Sequence, residues 1–191
     1  NYKNKQRPRG FVYSGDKELI NKVVDGFPYE ETQDQTKAIK DVFNDLRNNK
    51  PMDRLVYGDV GFGKTEVAIR AAILAISSGR VVFFLAPTTV LSDQHYINCV
   101  NRLSPAGVNV ELLSRFKNPT QQKEILKKYE SGEIDLLVGT HRLLSSDVKT
   151  DRLGLLIVDE EHRFGVKHKE AIRRIKARVD VLTLTATPIP R

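Results

Sequence analysis

Gly58-Asp59-Val60-Gly61-Phe62-Gly63-Lys64-Thr65 lies between the apolar run 54–57 and a helix-spaced stretch over 64–77. The spacing GxxxxGK[ST] constrains the fold more than any other feature of the chain. Glycine adopts backbone conformations that other residues avoid, so the N–H groups of such a loop can turn inward around an anion. A lysine and a hydroxyl at its end then supply a cation and a metal ligand. The loop works only between a strand and a helix, so this segment demands β-loop-α geometry. Gly58, Gly63, Lys64 and Thr65 carry those jobs, and Asp59, Val60, Gly61 and Phe62 complete the cradle.

The rest of the chain agrees with an alternation of strands and helices. Apolar runs at 54–57, 81–86, 134–138, 155–158 and 181–184 lack strict alternation, as strands buried on both faces of a parallel sheet do. Helical spacing predicts helices over 32–48, 64–77, 92–103, 119–131 and 167–177, with a weaker patch around Leu19, Ile20, Val23 and Val24. Thr32 and Gln35 fit a capping box, Asn118-Pro119 fits a helix start, and Gly79 fits a stop. The expected fold is α/β: three layers around a mainly parallel sheet, with ligands beyond the carboxyl ends of the strands. Residues 1–26 read as a flexible basic lead-in with one short helix, and 27–191 as the domain proper.

Composition narrows the class. With 31 Lys plus Arg against 24 Asp plus Glu, the net charge of +7 favours an anionic polymer such as nucleic acid, although a basic balance also serves solubility. The single cysteine, Cys99, can form no internal disulfide, which fits a reducing, cytoplasmic setting. No apolar run approaches the ~18 residues of a membrane helix. The absent initiator methionine and the ending at Ile189-Pro190-Arg191 suggest an excised domain of a longer protein.

The run 155–158 puts Asp159 and Glu160 at a strand end. Two acids there could form a solvated turn. In a sheet that also carries a phosphate loop, they suit magnesium chemistry better. Asp159, with Thr65, would hold Mg²⁺, and Glu160 would orient and activate an attacking water on a nucleoside triphosphate. His162 reads either as a structural hydrogen-bonding residue or as a sensor of the nucleotide. Thr185 and Thr187 could link the γ-phosphate region to a bound polymer, or could simply be good strand residues. Phe27 could stack on a base or join the core, and Gln35 could read an adenine edge or only close its capping box.

Seven segments then occur in order: Phe27-Pro-Tyr-Glu-Glu-Thr32, the phosphate loop, Ala86-Pro-Thr-Thr-Val-Leu91, Ser114-Arg-Phe116, Gly139-Thr-His-Arg-Leu143, Asp159-Glu-Glu-His-Arg-Phe-Gly165 and Thr185-Ala-Thr-Pro-Ile-Pro-Arg191. This series resembles the first RecA-like motor lobe of superfamily-2 helicases, and within them the bacterial transcription-repair coupling factors. Branch-migrating helicases of the RecG kind are the nearest rival, and they tend to carry Ser in place of Phe62 and Gln in place of Glu161.

The resemblance implies ATP and Mg²⁺ as ligands, with Lys64, Thr65, Asp159 and Glu160 as the hydrolysis set and Phe27 and Gln35 as adenine contacts. His162, Thr185 and Thr187 would couple hydrolysis to movement. Pro87, Thr88, Thr89, Ser114, Arg115, Thr140, His141 and Arg142 would grip one strand of double-stranded DNA through its phosphates. It further implies that the arginine finger sits on a second lobe, and that RNA polymerase and the UvrA repair protein engage other regions. The isolated lobe is therefore expected to be a poor ATPase and no translocase.

Overall fold

The inner strands are apolar at nearly every position because helices cover both of their faces. The structure, a computed structural model, describes residues 8–58 and 63–186. Among these, six strands form one parallel sheet: β1 (Asp53–Tyr57), β2 (Val81–Leu85), β3 (Val110–Leu113), β4 (Leu136–Gly139), β5 (Leu153–Asp159) and β6 (Asp180–Thr185). Their order across the sheet is β1-β6-β5-β2-β4-β3. The helices are α1 (Lys17–Asp25), α2 (Gln33–Arg47), α3 (Lys64–Ser77), α4 (Thr89–Leu103), α5 (Pro119–Glu130) and α6 (Val166–Lys176).

Side chains of a strand point alternately to its two faces, and the core divides accordingly. Val82, Phe84, Leu155, Ile157, Leu182 and Leu184 pack with α1 to α4. Val81, Phe83, Leu85, Leu156, Val158 and Val181 pack with α5 and α6 on the opposite face. Fully burying side chains of this size contributes about 1.5–3 kcal/mol each. The layers are those the sequence predicts.

Helix starts follow their caps. Thr32 and Gln35 form the predicted capping box on α2, and Asn118 and Gln121 form another on α5, whose Pro119 sits in the first turn. The strand β3 has no counterpart among the predicted runs. Val110-Glu-Leu-Leu113 is short, lies at the sheet edge and carries a half-buried glutamate, so it lacks the continuous apolar signature of its neighbours.

Residues 8–26 contain the expected short helix, α1, but are packed rather than a flexible lead-in. Tyr13, Ile20 and Val23 belong to the main core, and the Tyr13 hydroxyl donates to the Gly154 carbonyl at 2.7 Å. A Cβ at Gly154 would stand 2.7 Å from that hydroxyl and 2.6 Å from Arg80 Cβ, so only glycine permits the approach. Arg9 forks onto buried Asp180 at the start of β6 and donates to the carbonyls of Leu46, Asn48 and Lys50. Asp180 also accepts from the Met52 N–H at 2.6 Å. The segment thus straps the amino end of the sheet, and no boundary at residue 27 is visible in the packing. No helix among the described residues is long and apolar enough to cross a membrane.

Candidate active site

All the described candidate residues except Phe27 and Gln35 belong to one edge of the sheet. Gly58 follows β1, Thr185 ends β6, and Asp159 and Glu160 end β5. Pro87 to Thr89 follow β2, Thr140 to Arg142 follow β4, and Ser114 and Arg115 follow β3. Given the strand order, this edge splits into two halves: the residues expected to hold a triphosphate follow β1, β6 and β5, and those expected to face a polymer follow β2, β4 and β3. The halves meet between β5 and β2, where the strand order changes direction. Crevices at such points are where open α/β sheets bind ligands.

The helix α3 begins at Gly63, which has a φ of 79° and caps the helix with no side-chain hydrogen bond. Its first N–H groups are therefore left for an anion. Lys64 Nζ lies 2.8 Å from the Gly58 carbonyl oxygen, folded back across the loop. A cavity of about 420 Å³ brings Lys64 and Thr65 together with Asp159, Glu160 and His162. A second, of about 410 Å³, joins Phe27, Tyr29, Gln35 and Arg102 to Gly63 and Thr65. Both cavities reach Thr65, so one ligand seated on the α3 N-terminus can extend into each.

The acids are held differently. Asp159 is buried, and its Oδ2 lies 2.7 Å from Nε2 of His95 on α4. Glu160 has the sole positive φ among the described non-glycine residues, 49°. Such a conformation persists only where surrounding bonds fix it. Here the Glu160 N–H donates to the Leu184 carbonyl, while its carboxylate accepts from the Ala186 N–H at 2.8 Å and the Thr185 hydroxyl at 3.1 Å. His162 Nδ1 stands 3.5 Å from the same carboxylate, its side chain half exposed. Glu161 instead pairs with Lys176 on α6.

The cavity beside Phe27 rests on a charge network that the sequence does not announce. Phe27 lies beneath the guanidinium groups of Arg70 and Arg102, at 5.6 and 5.5 Å from its ring centre, and Tyr29 meets it edge-on at 5.8 Å. Buried Glu66 holds both arginines, and Glu31 takes the other end of Arg70 at 2.7 Å. The Arg70 hydrogen bond keeps the Glu31 carboxyl below the usual carboxylate range. Gln35 closes its capping box through Oε1, and its amide nitrogen lies 3.4 Å from the Gly63 carbonyl.

On the polymer half, several groups already have structural work. Thr88 caps α4 through its hydroxyl, and the Ser114 hydroxyl accepts from the Phe116 N–H. Arg142 forks onto Asp147 with two bonds of 2.8 Å and donates to Gln122, so its guanidinium is held by two side-chain partners. His141 stacks on His168 at 4.4 Å. Burial, then His168 and Arg115, lower the His141 pKa. Arg115 is exposed and makes no ion pair among the described residues. Asp59, Val60, Gly61, Phe62 and Thr187 lie outside the described residues.

Residues 32–191 match the model of the DEAD/DEAH box helicase family. The chain belongs to that family. Along its whole length it is 53% identical to the transcription-repair-coupling factors of Haemophilus influenzae and Escherichia coli, and 51% identical to that of Bacillus subtilis. It spans 16–17% of the length of these curated relatives. The solved structure of RecG bound to a three-way DNA junction superposes with a TM-score of 0.81 at 36% identity, over 95% of this chain and 24% of that one. The fold is thus the RecA-like fold of helicase motor domains.

Proposed function

We propose that this chain is the ATP-binding lobe of a double-stranded DNA translocase that displaces stalled RNA polymerase in transcription-coupled repair. The observation that carries the reading is the single cavity joining Lys64 and Thr65, on the uncapped α3 N-terminus, to Asp159 and Glu160. Identity of 51–53% to coupling factors along the full chain supports the biological task. The RecG likeness supports a branch-migrating helicase as the second reading, at a lower identity of 36%.

In this reading Lys64 exchanges the Gly58 carbonyl for phosphate oxygens, and the α3 N–H groups take the remaining charge. Phe27 stacks on adenine, and Gln35 reads its edge with the amide nitrogen and the second lone pair of Oε1. Thr65 and Asp159 would hold Mg²⁺. Their hard oxygen donors fit that ion, which is usually bound through one or two carboxylates, water and substrate phosphates rather than a protein cage. Bound there, Mg²⁺ would neutralise phosphate charge.

Glu160 takes a proton from the attacking water as the new bond to the γ-phosphorus forms. The bond from that phosphorus to the bridging oxygen breaks, releasing ADP and phosphate. Since Thr185 and Ala186 hold the Glu160 carboxylate, the end of β6 feels each turnover, which supports Thr185 as a coupling residue. His162, beside the same carboxylate, would respond to its charge. The polymer half would follow DNA phosphates through hydroxyls and backbone amides without reading bases. RNA polymerase and UvrA would engage other parts of the full protein, whose second lobe would supply the arginine that full ATPase activity needs.

Substituting Lys64→Ala in the full-length protein should abolish ATP-dependent displacement of stalled polymerase. Undiminished displacement would sink the assignment. If the unsubstituted protein unwound a branched junction and left the polymerase in place, the branch-migration reading would take over.

A further inference from the structure

The hydrolysis reading leaves one buried polar side chain of the cavity without a role: His95. It lies on α4, which neither carries the phosphate loop nor follows β5, and only 9% of it is exposed. Its ring stacks on Phe84 of β2 at 4.3 Å between centres and 27° between planes. Its Nε2 meets Asp159 Oδ2 at 2.7 Å, across the line where β2 and β5 pair and the strand order reverses. The carboxylate can only accept, so Nε2 carries the proton and donates.

We propose that His95 is a positioning residue for the Mg²⁺-dependent step, fixing the Asp159 carboxylate so that Oδ1 is the oxygen offered to the ion. The inference rests on the hydrolysis reading above. The terminal torsion of an aspartate is broad and roughly two-fold, so an untethered carboxylate samples orientations in which neither oxygen is well aimed. The bond to His95 removes that freedom, and the Phe84 stack removes the corresponding freedom of the imidazole. Partners of this kind, one bond beyond a metal ligand, typically change metal affinity by about 10–100-fold. His95 also attaches the carboxylate to α4, which Thr88 caps and Thr89 opens, so a shift of that helix would reach Asp159 directly.

The test uses the full-length protein and a fluorescent, slowly hydrolysed ATP analogue titrated with MgCl₂. His95→Phe keeps a ring for the Phe84 stack and removes the donor. It should raise the Mg²⁺ midpoint for analogue binding by about tenfold or more, while Mg²⁺-free binding changes little and the thermal midpoint falls because the buried carboxylate loses its donor. His95→Gln puts an amide nitrogen where Nε2 stood and should recover most of the affinity, whereas His95→Asn falls short and should not. An unchanged Mg²⁺ midpoint in a folded His95→Phe protein would overturn the proposal. Should that variant not fold, equal midpoints for the Gln and Asn variants would overturn it instead. Failure of the hydrolysis reading looks different: the unsubstituted protein itself would show no Mg²⁺-dependent binding, and Lys64→Ala would change nothing.

Discussion

The two ends of the sheet use polar residues in opposite ways. At the amino end, Arg9, Asp180, the Met52 N–H and the Tyr13 hydroxyl are bonded to one another or to backbone carbonyls, and the first described segment of the chain is strapped across them. At the carboxyl end, α3 begins without a side-chain cap and Glu160 keeps a left-handed backbone beside an open cavity. One end holds the sheet together, and the other keeps donors and acids available for a ligand. Substitutions at the two ends should therefore fail in different measurements.

The largest effect is expected at Gly63. Its φ of 79° disfavours any side chain, and a Cβ there would stand 1.9 Å from Gln35 Nε2. Gly63→Ala should therefore abolish ATP binding in a titration with labelled nucleotide while circular dichroism shows a folded chain. Normal affinity would mean that the Gln35 contact gives way cheaply. Next comes Glu160→Gln in the full-length protein, which should retain nucleotide affinity and lose hydrolysis by about 10²–10⁴-fold, the usual worth of a positioned general base. Normal turnover would remove Glu160 from its role.

The amino end should respond in stability alone. Asp180→Ala leaves the Arg9 guanidinium buried without its partner, a change that costs about 3–5 kcal/mol, readable by urea denaturation. Tyr13→Phe leaves the Gly154 carbonyl without its donor and should cost about 1–3 kcal/mol. The smallest effect belongs to the Arg142–Asp147 fork on the polymer half. The Arg142 hydrogen bond holds the Asp147 carboxyl below its ordinary pKa of 3.8, so the pair's contribution is complete above that value and fades as pH falls through the lowered one. Because Asp147 is half exposed, Asp147→Asn should cost no more than about 1 kcal/mol at pH 7, and the difference from the unsubstituted chain should shrink in acid.

What the sequence made legible follows the same division. Caps and loops announce themselves within a few residues, so Thr32 with Gln35, Asn118 with Pro119, and the Gly63-Lys64-Thr65 start of α3 could be read directly. Asp159 and Glu160 were legible because a buried strand delivers them. Contacts between distant elements were not. Arg9 and Asp180 are 171 residues apart, and His95 and Asp159 are 64 apart on different elements, so no local pattern joins them. Apart from its short helix, the basic lead-in reads as flexible because its few apolar residues, Tyr13 among them, show their burial only once the sheet exists. The Arg142–Asp147 pair is hidden for a similar reason, since an exposed acid five residues away gives no sign in sequence that it will take the guanidinium.

The separation of the two ends is tested most directly by the thermal midpoint of this chain as Mg²⁺ and ATP are raised together, since a ligand that binds only the folded state stabilises it in proportion to the logarithm of its concentration once that exceeds Kd. The midpoint should climb for the unsubstituted chain and stay flat for Lys64→Ala. For Tyr13→Phe it should start lower and climb by the same increment. A climb in Lys64→Ala, or its loss in Tyr13→Phe, would contradict the assignment of nucleotide binding to the carboxyl end and of the strap to stability.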